Sequence, residues 1–224
     1  RLKQAISLLT AHGATLPANE LFSASRSLLD FIEIENDPDG FEAILGVGPE
    51  RDIEGLHPEN YGRLAERVPV VVPPTAAAAL RLLKGAGTPL DGRRVVVVGR
   101  SLAVGNALAL LLLAERRGPT VTVCHTGTAD LAAVTREAAF LVAAAGRPAT
   151  IRGGMVKDGA IVVDVGTNVV KGPDGAERLV GDVAFDEVAA LCAAITPVPG
   201  GVGPVTSALL LANVVRAAAR LFPE

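Results

Sequence analysis

Four consecutive β-branched residues, Val95-Val96-Val97-Val98, stand directly before Gly99 and constrain this chain more than any other segment. A strand that is apolar at every position needs cover on both faces, and that happens at the centre of a parallel sheet flanked by helices. The pattern that follows has the matching rhythm. A helix is expected over Val104–Glu115, a strand over Thr120–Cys124, a helix over Leu131–Ala138 and a strand over Phe140–Ala144. After a turn at Lys157-Asp158-Gly159 comes a strand over Ile161–Val165, and a last helix runs from about Pro204 to Leu221. Strands and helices in alternation predict an α/β protein with a doubly wound, mostly parallel sheet.

Residues 1–75 read differently. Helices are expected at Arg1–His12, capped by Gly13, and at Ser25–Glu35. Asn36–Gly40 is a turn by composition, Ala43–Val47 a short strand, and Pro49–Asn60 a polar stretch. The expected organisation is a small N-terminal α/β part (1–75), a nucleotide-binding part (76–204) and a C-terminal helix (205–224) packing back on the first. The chain starts at Arg1, inside an apparent helix, so the natural N-terminus is expected to lie further upstream.

Composition narrows the function classes. A net charge of −3 argues against a nucleic-acid surface. The absence of eighteen consecutive apolar residues argues against a membrane span. Two distant cysteines in apolar segments, Cys124 and Cys192, fit buried structural thiols of a cytoplasmic protein. No metal is expected.

The first strand runs into Gly99-Arg100-Ser101-Leu102-Ala103-Val104-Gly105. A glycine here permits a tight turn and close backbone approach, and the N–H groups opening the next helix face an anion. The usual G-x-G-x-x-G is not kept, since Ser101 and Val104 hold its second and third glycine positions. Similar turns occur in α/β folds that bind no nucleotide. A domain selective for NAD carries an acid after the second strand, to bind the ribose 2′-hydroxyl. His125-Thr126-Gly127-Thr128 stands there instead, and Arg100 offers a cation for a 2′-phosphate, which favours NADP.

Several blocks then resemble those of the methylenetetrahydrofolate dehydrogenase/cyclohydrolase (FolD) family: VVVVGRSLAVG (95–105), VTVCHTGT (121–128), DVGTN (164–168), LVGDVAFDE (179–187) and AITPVPGGVGPVT (194–206). Upstream, RDIEGLHPENYGRL (51–64) resembles the family's KDVDGFHPxNxGRL. The resemblance implies a Rossmann-like domain and a smaller N-terminal one with a cleft between them. It also implies a homodimer and NADP-dependent oxidation of 5,10-methylenetetrahydrofolate to the methenyl form. By the same resemblance, Gly99, Arg100, Ser101, Val104, Gly105, Thr126 and Thr167 would bind the cofactor. Glu54, Pro199, Gly200 and Gly201 would bind the tetrahydrofolate one-carbon substrate, and Lys3 and Glu54 would be catalytic.

The chain also departs from the pattern. The family's VQLPLP strand end, which supplies a glutamine beside the catalytic lysine, has no counterpart in GFEAILGVGPE (40–50). Gly127 replaces a commonly basic position, and a register anchored on Gly13 puts Ala5 rather than Lys3 at the lysine position. Hydrolysis of the methenyl product to 10-formyltetrahydrofolate is therefore expected to be weak. Two other readings stay open: a catalytically silent nucleotide-binding homologue, and a dehydrogenase on a related pterin substrate. A side chain at Gly201 is expected to injure ligand binding far more than folding.

Overall fold

The computed structural model describes residues 44–172 and 174–222; Lys3, the expected helices at 1–12 and 25–35 and the turn at 36–40 lie outside them. Where a strand is expected at Ala43–Val47, residues 44–47 form one helical turn. Gly46 and Gly48, the latter with φ +78°, leave too short an apolar run to pair as a strand.

Helix α1 (Pro58–Ala65) begins with proline at its first position, and the His57 ring accepts from the Glu59 N–H at 3.2 Å. Helix α2 (Pro74–Gly85) also starts on proline, after Pro73. The sequence reading gave this run no element, yet its alanines pack tightly: Ala76, Ala78, Ala79 and Leu83 are fully buried.

The sheet comprises β1 (Arg94–Val98), β2 (Thr120–Cys124), β3 (Phe140–Ala143), β4 (Ile161–Asp164) and β7 (Ala194–Ile195). Its order is β2-β1-β3-β4-β7, with every pair parallel. Alternate residues feed two cores. Val95, Val97, Phe140, Val142, Ile161 and Val163 pack under α2 and α3 (Ala107–Leu113). Val96, Val98, Leu141, Ala143 and Val162 pack on the other face, under Ile151, Val183 and Val188. That second layer includes α4 (Leu131–Thr135) and α5 (Phe185–Ala189). Each valine of β1 removed from water contributes about 1.5–3 kcal/mol relative to exposure. Of the two cysteines, Cys124 is buried and Cys192 only half-buried.

A second sheet is the antiparallel hairpin β5 (Asn168–Lys171) and β6 (Glu177–Val180), which the sequence reading did not resolve. Its Val169 and Leu179 face each other across the ladder and are both exposed.

Helix α6 (Val202–Leu221) packs along α2, with Val202 in the first core. It is long and apolar enough, by length and composition alone, to cross a membrane. A count of uninterrupted apolar residues misses this because Thr206, Ser207, Asn213 and Arg216 break the run. The buried Asn213 amide donates to the carbonyls of Ile53 at 2.9 Å and Val72 at 3.1 Å, tying α6 to the segment that precedes α2.

Candidate dinucleotide and substrate site

The strand order reverses between β1 and β3, and in open α/β sheets ligands occupy the crevice beyond the strand ends at such a point. Both strands end there in backbone held at unusually close range. Gly99 has φ +125°, and a Cβ on it would fall onto the Ala144 carbonyl. A Cβ on Gly105 would in turn fall onto the Gly99 carbonyl. The two glycines therefore stack the phosphate turn against the turn after β3, with no space for a side chain at either position.

Gly105 lies one residue beyond the third position of G-x-G-x-x-G, and the helix itself explains the offset. Leu102–Asn106 forms a π-helical turn, in which the Asn106 N–H reaches back five residues to the Ser101 carbonyl at 3.0 Å. A π turn carries one more residue than an α turn. The close approach moves accordingly from Val104, which is half-buried, to the fully enclosed Gly105. Ser101 precedes the turn in extended conformation. The π register thus accounts for the displaced third glycine, while Ser101 at the second position remains a change of composition.

Arg100 and Thr126 follow the paired strand ends Val98 and Cys124 by two residues each, so they occupy equivalent places on neighbouring turns, and both are exposed. No carboxylate among the described residues pairs with Arg100 in an ion pair. The turn carrying Thr126 is tight: Thr128 Oγ1 accepts from the His125 N–H at 3.0 Å, and His125 Nδ1 from the Gly127 N–H at 3.0 Å. The first carboxylate after β2, Asp130, is occupied in capping α4, where it accepts from the Ala133 N–H at 2.9 Å. Thr167 is exposed on the turn after β4.

On the other side, Asp52 organises the loop that carries Glu54. Its buried carboxylate accepts from the N–H groups of Glu54 (3.1 Å), Gly55 (2.8 Å) and His57 (3.0 Å), and from the Asn60 amide (2.9 Å). Gly55, at φ +70°, turns the chain against Pro73. With Asn213 holding Ile53, the loop is fixed from both sides. Burial, with the Asp52 charge adding to it, pushes the Glu54 carboxyl up to about 7. Such a group can hold or release a proton near neutral pH. Tyr61, on α1, donates its hydroxyl to the Leu102 carbonyl at 3.2 Å, so the helix after this loop touches the phosphate turn.

Sequence reasoning gave roles to Glu54 and the glycines but none to Asp52, Asn60 or Asn213. The signal was present in the spacing Asp52-x-x-Gly55-x-His57-x-x-Asn60, an acid followed by donors within one loop. The expectation for Gly201 needs correction. Gly201 has φ −87°, but a Cβ there would press on the Pro197 carbonyl and the Thr196 Cβ, so substitution disturbs the turn itself. Gly203, exposed in the first turn of α6, has open space and is the cleaner probe of ligand approach.

Comparison with known proteins agrees with this geometry. Residues 73–222 match the family model described as tetrahydrofolate dehydrogenase/cyclohydrolase, NAD(P)-binding domain. The chain is 52% identical over 180 residues to the bifunctional protein FolD of Roseiflexus sp., and 50% identical over 180 residues to that of Parvibaculum lavamentivorans. These stretches are 80% and 79% of this chain and 60% of each relative, so the chain spans less than two thirds of their length. Among solved structures, the Trypanosoma brucei FolD complexed with NADP cofactor and inhibitor superposes with a TM-score of 0.77 at 36% identity. That match covers 99% of this chain and 84% of that one. The Campylobacter jejuni enzyme gives 0.74 at 40% identity, covering 81% and 63%.

The Glu54 environment has a measurable signature. A carboxyl raised from 4.5 to about 7 on folding adds stability that is complete below 4.5 and lost as pH rises through 7. Glu54→Gln removes the ionisable group. Urea unfolding should find the variant more stable than the parent at pH 8, by on the order of 3 kcal/mol, with the gap falling to about 1 kcal/mol by pH 5. A gap independent of pH would show that Glu54 is freely hydrated.

Proposed function

Because this chain belongs to the tetrahydrofolate dehydrogenase/cyclohydrolase family, we propose that it oxidises 5,10-methylenetetrahydrofolate to 5,10-methenyltetrahydrofolate with NADP as acceptor. The observation that carries the reading is the paired glycine contact at the switch point, Gly99 on Ala144 and Gly105 on Gly99, which seats the turn after β1 directly on neighbouring backbone at the strand ends. Bound NADP supplies an electron-poor nicotinamide carbon that accepts hydride as the methylene C–H bond breaks, leaving the methenyl cation as product. The chain's own part is alignment and electrostatics.

In this reading Gly99, Ser101, Val104 and Gly105 present the opening of the π turn and α3 to the phosphates. Arg100, with Thr126 beside it, meets the 2′-phosphate, and Thr167 lines the far wall. Glu54, whose carboxyl is pushed up to about 7 and so retains a proton part of the time near neutral pH, offers a hydrogen bond to the pterin. Pro199, Gly200 and Gly201 bring backbone to the folate, with Gly203 just inside the helix. The functional division is then 1–75 for folate, 76–204 for dinucleotide, and 205–224 as the helix joining them. Lys3 is assigned the family lysine's place. Methenyl hydrolysis is proposed to be weak, since 40–50 has no glutamine to set beside that lysine; hydrolysis as fast as hydride transfer would overturn this. A cytoplasmic homodimer completes the proposal, supported by the exposed Val169–Leu179 pair on the edge hairpin and read directly by sedimentation.

Absorbance at the wavelength of the reduced nicotinamide, on mixing protein, NADP and methylenetetrahydrofolate, tests the reaction. Arg100→Ala should weaken NADP binding by on the order of 1.5–3 kcal/mol while NAD binding changes little, since NAD has no 2′-phosphate. Equal losses for the two cofactors would assign Arg100 another role.

Gly203→Ala places the smallest side chain in open space at a helical position, where alanine is favoured over glycine by about 1 kcal/mol. The thermal midpoint should hold or rise, and kcat/KM should fall at least tenfold, about 1.4 kcal/mol of transition-state stabilisation. Full activity in this variant would separate the segment from the ligands.

A further inference from the structure

The turns on which the dinucleotide reading rests converge on one carboxylate outside the expected site. Asp182, between β6 and α5, is fully buried, with none of its surface in water. Its Oδ2 accepts from the backbone N–H groups of Ala145 at 2.6 Å and Gly146 at 2.9 Å, directly after β3. Its Oδ1 accepts from the Asn168 side-chain amide at 2.8 Å, directly after the Gly166-Thr167 turn that follows β4. A Cβ on Gly166 would collide with the same carboxylate, so this turn is packed onto Asp182 as well as bonded to it.

Asp182 is itself held by a second buried acid. Asp164, the last residue of β4, accepts from the N–H groups of Gly166 (3.0 Å), Asp182 (2.9 Å) and Val183 (3.0 Å), and a Cβ on Gly181 would strike it. Both carboxylates are satisfied by neutral N–H donors, and no Lys or Arg forms an ion pair with either among the described residues. Placing two such charges side by side without a cation is costly. The arrangement has a specific output: it fixes the backbone from Ala144 to Gly146, and the Ala144 carbonyl is the surface on which Gly99 rests.

We propose that Asp182 is a positioning residue for the dinucleotide, setting the turns after β3 and β4 so that the phosphate turn seats against the first and Thr167 faces the cleft from the second. This rests on the dehydrogenase reading above. It acts through backbone geometry, so it governs cofactor affinity rather than the hydride step.

The test is fluorescence titration of NADPH into the full chain, with steady-state kinetics and the thermal midpoint measured on the same preparations. Asp182→Ala should raise the NADPH Kd and the NADP KM at least tenfold, while kcat at saturating NADP stays within threefold of the parent. Asp182→Asn should bring Kd back to within threefold. Its oxygen can accept from Ala145 and Gly146, and its NH2 can donate to Asn168 once that amide turns over. Should Asp182→Ala fail to fold, Asn168→Ala removes one of the three bonds at a half-buried position and should raise the NADPH Kd at least threefold. A folded variant that binds NADPH as the parent does would overturn the proposal. So would a loss confined to kcat, or an Asp182→Asn variant as damaged as Asp182→Ala. A parent chain that does not bind NADPH would overturn the dehydrogenase reading itself.

Discussion

Everything at the sheet's functional edge follows from one steric condition: the backbone after β1 and the backbone after β3 touch, with no atom to spare between them. Gly99 meets the Ala144 carbonyl, and Gly105 meets Gly99. The condition links distant parts of the chain. β1 and β3 are neighbours in the sheet, so their terminal turns lie side by side, and the turn that opens the helix after β1 is held down against the turn after β3. Widening the turn by one residue, as the π geometry does, keeps the contact while changing which glycine makes it.

The opposite wall is built on another economy, hydrogen bonds to a single acceptor. Asp52 gathers four donors and leaves Glu54 projecting beside a buried negative charge. The price is an elevated Glu54 carboxyl, and the gain is a group that exchanges its proton near neutral pH, where an exposed glutamate is already ionised. Asp164 and Asp182 repeat the device on the sheet side. Both walls thus use carboxylates as organisers of backbone, and among the described residues neither forms an ion pair with a lysine or arginine to do it.

How much of this was legible in the sequence depends on whether the signal was local. The strand Thr120–Cys124 was readable to the residue and β1 to within one, its valine run lacking only Arg94, because burial on both faces and alternation are written in adjacent positions. The phosphate turn was readable as a glycine turn, but its one-residue offset was not, since a π turn leaves no compositional mark. Helix α2 was missed because four alanines look featureless until α3 and α6 are placed against them. The 44–47 turn and the β5–β6 hairpin were missed for the same reason: both are decided by what packs or pairs from elsewhere. Asp182 sat in plain view inside LVGDVAFDE, but its three donors come from residues 145, 146 and 168, a convergence that only the fold produces.

Asn213 also bears on how the chain can be divided. Composition changes near residue 75, and a graft that exchanged the dinucleotide-binding half would naturally be cut there. Such a cut separates Ile53 and Val72 from the amide that binds them, 160 and 141 residues away. The same helix opens on the glycine segment, so one rigid rod of about 30 Å carries both the anchor of the Glu54 loop and the Gly200–Gly203 segment. The structural unit around Asn213 is therefore discontinuous in the chain. A functional transplant would have to move residues 49–75 together with α6, leaving the central sheet behind as the exchangeable part.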